Sequence, residues 1–264
     1  MRLKEFFSSK PFIAVIHLDT LPGAPLYGGD FQSVMDKALR DARIAEEGGA
    51  DAVIVENFGD KPFREKVDSP TVAAMALIVK AVVEELSISV GVNVLRNDAV
   101  VALSIATVCG ADFIRVNAYT ELVASDQGFL RPAAWDVLTQ KRLLDSNVAV
   151  FADIRVKHGV SLSARNAVDA ARAAAHRGLA DAIIVTGRET GAEADPAVLR
   201  KVKAAVDRPV LVGSGITPSN IEKYREADGY IVGTYLHENS EISRPLSLNR
   251  VRKMAEAIKK LKEK

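Results

Sequence analysis

Eight short runs of β-branched and other apolar residues recur along this 264-residue chain, separated by segments of helical period. The runs are 12–17, 52–56, 88–94, 113–117, 148–154, 182–186, 210–213 and 230–233. They are almost continuous in hydrophobicity, as parallel strands covered on both faces must be. Between the second and third runs, Val72, Met75, Val79, Val82 and Leu86 share one helix face. Asp195-Pro196 and Thr217-Pro218 read as an N-cap followed by proline in the first turn. Gly110 and Gly178 stand where helix C-caps belong. Strand and helix alternating eight times predict a single α/β domain, a (β/α)8 TIM barrel over residues 1–264. An open doubly wound sheet would carry its glycine-rich turn after the first strand. Here that place holds Leu18-Asp19-Thr20-Leu21-Pro22-Gly23-Ala24-Pro25.

A short motif echoes through the chain. Gly49-Ala50-Asp51 returns as Gly110-Ala111-Asp112, as Leu179-Ala180-Asp181 and loosely as Ala227-Asp228, each time just ahead of an apolar run. The long connections are 18–30, 57–69, 118–132, 155–161 and 238–245. All of them follow strands, so all fall at the C-terminal end of the barrel, where such folds bind and react.

Composition removes several function classes. The net charge of +1 gives no reason to expect nucleic acid or an anionic membrane as partner. No apolar stretch reaches the ~18–20 residues of a membrane span, and the opening Met1-Arg2-Leu3-Lys4-Glu5-Phe6-Phe7 lacks a signal-peptide core. The single cysteine, Cys109, excludes an intrachain disulfide and favours a cytosolic setting.

Two glycine turns close the last two runs: Val212-Gly213-Ser214-Gly215-Ile216-Thr217 and Val232-Gly233-Thr234. Successive backbone N–H groups in such turns form an anion nest. After the last two strands of a TIM barrel they match the usual phosphate site. Gly213, Ser214, Gly215, Gly233 and Thr234 are therefore the candidate phosphate ligands.

Polar side chains gather at the other strand ends: His17 and Asp19, then Glu56-Asn57, Asn93 with Arg96-Asn97-Asp98, and Arg115 with Asn117. Asp153, Arg155, Lys157 and His158 follow, and then Thr186, Arg188 and Glu189. A polar group inside a barrel must be paired or face a wet pocket. Period-two geometry lets Asn93, Arg115, Asn117 and Asp153 all point inward. Glu56 and Asp153 are the candidate acid/base carboxylates, with His17 and His158 as proton carriers and Asn117 beside them. Asn93, Arg96, Arg115 and Lys157 are the candidate substrate-binding residues. A purely structural Arg115–Asp153 pair is the alternative for those two. Lys157 would form a Schiff base only if desolvated; lying beyond the strand, it reads rather as a solvated or phosphate-facing lysine. Glu56, Asp153 and His158 are the one conceivable metal set. No P-loop, cysteine pair or Ser-His-Asp spacing occurs. No cofactor is expected, although the same turns would also take the phosphate of FMN.

Gly91-Val92-Asn93-Val94-Leu95-Arg96-Asn97-Asp98 resembles the BtpA/SgcQ family. So do Phe113-Ile114-Arg115-Val116-Asn117, Val55-Glu56-Asn57-Phe58-Gly59-Asp60 and Asp153-Ile154-Arg155-Val156-Lys157-His158. Val15-Ile16-His17-Leu18 with Leu21-Pro22-Gly23 is similar as well, so the resemblance spans essentially the whole chain. It implies a TIM barrel. Cyanobacterial members are associated with photosystem I accumulation; others are described as nucleosidases or phosphoribosylanthranilate isomerases. That isomerase uses a cysteine at the end of strand 1 and an aspartate on strand 5. Here the aspartate is present as Asp153, but His17 replaces the cysteine. The expectation is an enzyme on a small phosphorylated metabolite, a sugar phosphate or nucleotide, performing isomerisation, aldol-type cleavage or N-glycosidic hydrolysis. The alternative is a non-catalytic assembly factor that uses the barrel as a scaffold. The sequence shows no interface, and a homo-oligomer stays open.

Overall fold

The structure is a computed structural model that describes residues 2–187 and 189–263. Arg188, grouped above with Thr186 and Glu189, lies outside the described residues. The strands in chain order are β1 (Phe12–His17), β2 (Ala52–Glu56), β3 (Ser89–Asn93), β4 (Phe113–Val116), β5 (Val123–Ser125), β6 (Gly128–Leu130), β7 (Ala149–Ile154), β8 (Gly159–Ser161), β9 (Ala182–Val185), β10 (Val210–Gly213) and β11 (Gly229–Val232). Eight of them close a parallel barrel in the order β1-β2-β3-β4-β7-β9-β10-β11, back to β1. Each barrel strand matches its run in the sequence to within one residue at either end.

The helices are α1 (Leu3–Ser8), α2 (Phe31–Glu47), α3 (Ser69–Glu85), α4 (Ala99–Cys109), α5 (Ala134–Leu143), α6 (Ala167–Arg172), α7 (Pro196–Lys203) and α8 (Leu248–Lys262). Asp195 caps α7 by accepting a bond from Ala197 N at 2.8 Å, and Gly110 closes α4 at φ 83°. One local expectation is corrected. Thr217-Pro218 opens no α-helix; only a 3-10 turn, Ile221–Tyr224, lies between β10 and β11. The Asn220 side chain instead ties the preceding loop, its Oδ1 taking Thr217 N at 2.8 Å while its Nδ2 holds Gly215 O at 2.7 Å. Gly178 is the C-cap of the helical turn Ala173–Arg177, as expected, with the positive φ, 57°, on Leu179. Gly178 is glycine because a Cβ would stand 2.7 Å from the Tyr119 ring.

The sequence echo has a structural reason. Asp51 Oδ2 accepts from Phe12 N at 2.8 Å, and Asp51 N donates to Phe12 O at 2.8 Å. Asp112 clamps Val90 in the same two-way manner, Asp181 clamps Val150, and Asp228 clamps Val210. Each aspartate precedes one strand and fastens the start of the strand before it in the barrel. Carboxylate-to-amide bonds of this kind are among the stronger hydrogen bonds in proteins.

Inside the barrel, side chains alternate with period two. The lower layers are apolar: Ile13 and Val15, Ala52 and Ile54, Phe113, Phe151, Ile184, Leu211 and Ile231. Helix α1 stops the bottom with Phe7, which packs on Phe151 at 5.5 Å between ring centroids. Phe151 in turn stacks on Phe113 at 4.5 Å. Gly91 leaves the space for this stack, since a Cβ there would lie 2.2 Å from the Phe113 ring. A second, larger apolar cluster lies between the strands and the outer helices. At the C-terminal end, β5, β6 and β8 form a small antiparallel sheet that sequence periodicity did not reveal. It is built from the loops after β4 and β7 and packs Val123 and Leu130 on Val156.

Candidate active site

The next inward position on each strand is where the chemistry changes. His17, Glu56, Asn93, Arg115 and Asp153 stand two residues above Val15, Ile54, Gly91, Phe113 and Phe151, and Asn117 follows Arg115. All six are buried. Arg115 is held by both oxygens of Asp153, with Nε at 3.1 Å and Nη2 at 3.2 Å. Its Nη1 lies 3.8 Å from Glu56 Oε2. Burial works against the Arg115 charge, but Asp153 and Glu56 outweigh it and raise the pKa. Asn117 Nδ2 donates to Asp153 Oδ2 at 2.6 Å, and Asn93 Nδ2 to Glu56 Oε2 at 2.5 Å.

Hydrogen-bond chemistry fixes the tautomers of two histidines. Arg244 O can only accept, so His237 Nδ1, 2.6 Å away, carries a proton. Burial lowers the pKa of His237, so its ring is neutral and its Nε2 accepts. The donor is His17 Nδ1, at 2.9 Å. His17 Nε2 is left with a lone pair, 4.0 Å from Glu56 Oε1. Burial, then His237, Lys157 and Arg115, hold the His17 pKa well below its usual value, so this ring too is neutral.

These groups open into a cavity of about 800 Å3 at the C-terminal mouth. His17, Glu56, Arg96, Arg115, Asn117 and Lys157 stand on its wall, together with Ser214, Gly215, Gly233 and Thr234. Asn93, Asp153 and Gly213 do not. Asp153, read from the sequence as an acid/base group, lies behind Arg115 and Asn117, which occupy its carboxylate. Asn93 stands behind Glu56 in the same way. His158 is exposed and bonds Thr190 Oγ1 at 3.1 Å, tying the loop after β7 to the loop after β9. Glu56, Asp153 and His158 do not come together, and no group of metal-binding side chains occurs among the described residues. Cys109 is buried at the end of α4, with Sγ on Ala76 O at 3.3 Å, far from any role as a base in this cavity.

Two side-chain atoms of wall residues are buried without a partner among the described residues, Asn117 Oδ1 and Arg96 Nε, as are Asp41 Oδ2, Glu121 Oε1, Gln127 Oε1 and Thr186 Oγ1 away from the cavity. Buried polar atoms without partners are rare enough to need an explanation. The glycine turns are also open. Outside the strand ladders no backbone carbonyl of a described residue accepts from the N–H of Gly215, Gly233 or Thr234, and the Ser214 hydroxyl donates to Glu189 O at 3.1 Å. The glycines have reasons within the chain as well. Gly215 has φ 62°, and a Cβ on it would lie 2.6 Å from the backbone at Ala192. At Gly233 it would lie 2.7 Å from the His17 ring.

Several wall residues escaped the sequence reading. Phe58 meets the His17 ring edge-on at 4.9 Å, and Lys61 lies over Phe58 at 4.1 Å. Asp126 reaches the wall from the small sheet, and Tyr235, Ser240 and Ile242 from the last loop. His237, 220 positions from His17, carried no local signal. Other motif residues turn out to fasten loops. Asn57 bonds Asp60, Leu95 O and Leu95 N. Asn97 bonds Ala118 and Arg131.

A closed eight-stranded barrel with a buried polar layer under a charged mouth defines the class as a (β/α)8 barrel with a ligand-sized C-terminal cavity. The family model described as the BtpA family matches residues 8–260, and the chain belongs to that family. An uncharacterised protein of Pyrococcus furiosus is 45% identical over 247 residues, covering 93% of this chain and 94% of the relative. The photosystem I biogenesis protein BtpA of Synechocystis is 40% identical over 256 residues, covering 96% and 89%. Among solved structures, thiamine phosphate pyrophosphorylase from Pyrococcus furiosus superposes with a TM-score of 0.61 at 16% identity, covering 96% of this chain and 98% of that one. That likeness is one of fold.

Proposed function

We propose that this barrel is an enzyme of acid–base chemistry on a small phosphorylated metabolite. One observation carries the reading: the charge of the cavity wall. Lys61, Arg96, Arg115 and Lys157 face Glu56 and Asp126, four cations against two carboxylates, and the open amides of the two glycine turns share the same space. Such a wall favours an anion. The phosphate sits at Ser214, Gly215, Gly233 and Thr234, with Gly213 shaping the turn behind them. The reacting end lies under it. His17 Nε2 takes a proton from the substrate, and Glu56 stabilises the imidazolium that results. Arg96 and Asn117 hydrogen-bond the substrate's oxygens from the same wall. Asn93 and Asp153 hold Glu56, Arg115 and Asn117 in place. The name of the solved neighbour, a thiamine phosphate pyrophosphorylase, accords with a phosphorylated ligand.

The rival reading is a scaffold, prompted by the name of the Synechocystis relative. A scaffold has no use for a cavity wall that sets four cations against two carboxylates. Thermal unfolding against sugar phosphates, nucleotides, free nucleosides and inorganic phosphate separates the two. A ligand at a hundred times its Kd adds roughly 2.7 kcal/mol, or roughly 5–10 °C for a chain of this size. No shift with any phosphate compound overturns the metabolite reading.

A further inference from the structure

We infer that Lys157 is an amine nucleophile that forms a Schiff base with an aldehyde or ketone, which makes the ligand of this cavity a phosphorylated carbonyl compound. The inference deepens the reading above and rests on it for the phosphate.

The geometry begins with the turn between β7 and β8. Arg155 and His158 both adopt left-handed backbone, φ 48° and 53°. Arg155 N is held by Glu121 Oε2 at 2.8 Å, and Lys157 O accepts a bond from Arg96 Nη2. Fixed from both sides, the turn exposes Arg155 and carries Val156, Lys157 and the rim residue His158 onto the cavity wall. A lysine at the tip of a loop normally reaches water or a carboxylate. This one reaches neither freely. It is partly buried, and the nearby acids are already engaged: Glu56 by Asn93 and Arg115, Asp153 by Arg115 and Asn117. Among the described residues no carboxylate lies at ion-pair distance from its ammonium.

Its surroundings act on its charge accordingly. Burial and then the Arg115 charge lower its pKa to about 8, against the pull of Glu56 and Asp153, and Arg96 adds to the lowering. Near neutral pH the free-amine fraction is then on the order of a hundredfold larger than for a surface lysine. Desolvation beside a second cation is one of the recognised ways of activating a lysine for carbonyl chemistry.

The step balances within the cavity. The Lys157 Nζ lone pair adds to the carbonyl carbon, forming a C–N bond, and the carbonyl oxygen takes up the proton that the nitrogen loses. That hydroxyl then leaves as water, with one further proton, to give the iminium. The iminium accepts the electron pair when a neighbouring C–H or C–C bond breaks. In the first case His17 Nε2 receives the proton. Hydrolysis of the iminium returns the free amine.

Reductive trapping tests this on the intact wild-type chain. The protein is incubated with dihydroxyacetone phosphate or pyridoxal 5′-phosphate and cyanoborohydride at pH 7.5, and the modified lysines are mapped by peptide mass spectrometry. The expected result is one alkyl group per chain, on Lys157, at least tenfold faster than on any other lysine. K157R should lose that modification while unfolding at the same temperature as wild type. Trapping on Lys157 at surface-lysine rates overturns the inference, even if inorganic phosphate stabilises the protein. Fast trapping by unphosphorylated dihydroxyacetone, with no protection by inorganic phosphate, keeps the amine and removes the phosphate reading instead.

Discussion

The lower and upper halves of the barrel interior are built from the same strands, two residues apart, and have opposite chemistry. Below, Ile54, Phe113, Phe151 and Leu211 belong to one buried apolar cluster. Above, Glu56, Arg115 and Asp153 are equally buried but held by charge and hydrogen bonds around a cavity. The lower half supplies stability at roughly 1.5–3 kcal/mol for each large side chain buried. The upper half supplies little net stability, because desolvation offsets most of what a buried ion pair returns. It makes the floor on which a ligand rests. A barrel can carry a costly polar layer when the layer beneath it is dry and closed, as it is here with Phe7 at the base.

Substitutions can break this contrast, and the largest effect lies below. Phe151→Ala removes the centre of the aromatic stack and should cost about 3–5 kcal/mol in urea unfolding, while the folded protein keeps its response to phosphate compounds. Arg115→Met strands Asp153 in the upper layer and should cost about 3 kcal/mol. The double variant R115M/D153L should recover a large part of that loss, with ligand response absent in both. If R115M proves neutral on its own, the upper layer is wetter than its burial indicates. Asp51→Ala removes one strand clamp and should cost about 1–3 kcal/mol, leaving Phe12 N unsatisfied.

A pH effect sharpens the same contrast. The folded state holds the His17 and His237 pKa values below the unfolded one, near 6.5. Above that pH both states are neutral and nothing is lost. As pH falls below it, the unfolded chain binds protons that the native rings refuse, so stability drops. Each ring contributes up to about 1.4 kcal/mol per pH unit until its folded pKa is reached. The difference in urea midpoint between wild type and His17→Gln from pH 7 to pH 5 measures it; parallel curves would mean that His17 is charged when folded. The smallest effect is expected for Lys61→Ala at the rim. Stability should change by about 0.5–1 kcal/mol through the lost contact with Phe58, and affinity for a phosphorylated ligand should fall.

How much of this was legible depended on the range of the interaction. Strands and the inward polar layer follow from period two within a few residues, so the runs and Arg115, Asn117, Asn93 and Asp153 could be placed without a structure. The family resemblance was legible for the same reason, because its motifs sit on those strands. What those motifs do was less legible. Asn57, Asp60 and Asn97 look as chemical as Glu56 and Arg96 in a string of letters, yet they fasten loops. Asp153 read either as an acid/base carboxylate or as a structural partner of Arg115, and the structure has it engaged by Arg115 and Asn117. His237 was invisible, since only closure of the barrel brings it to His17. The expected helix after Thr217 is replaced by a turn that Asn220 holds by bonding back to Thr217 N and Gly215 O, with only a 3-10 turn following it.

The four aspartate clamps join β1 with β2, β3 with β4, β7 with β9 and β10 with β11. The barrel is thus sewn as four doublets, each fastened at its base by the same stitch. New chain ends placed at a seam, as in the link between α3 and β3, would leave every doublet covalently whole. Ends placed inside one, as between α2 and β2, would leave the ladder and its carboxylate clamp to hold the two strands in step with no covalent link. Rearranged versions of this chain should therefore tolerate reopening at every second strand and resist it at the others.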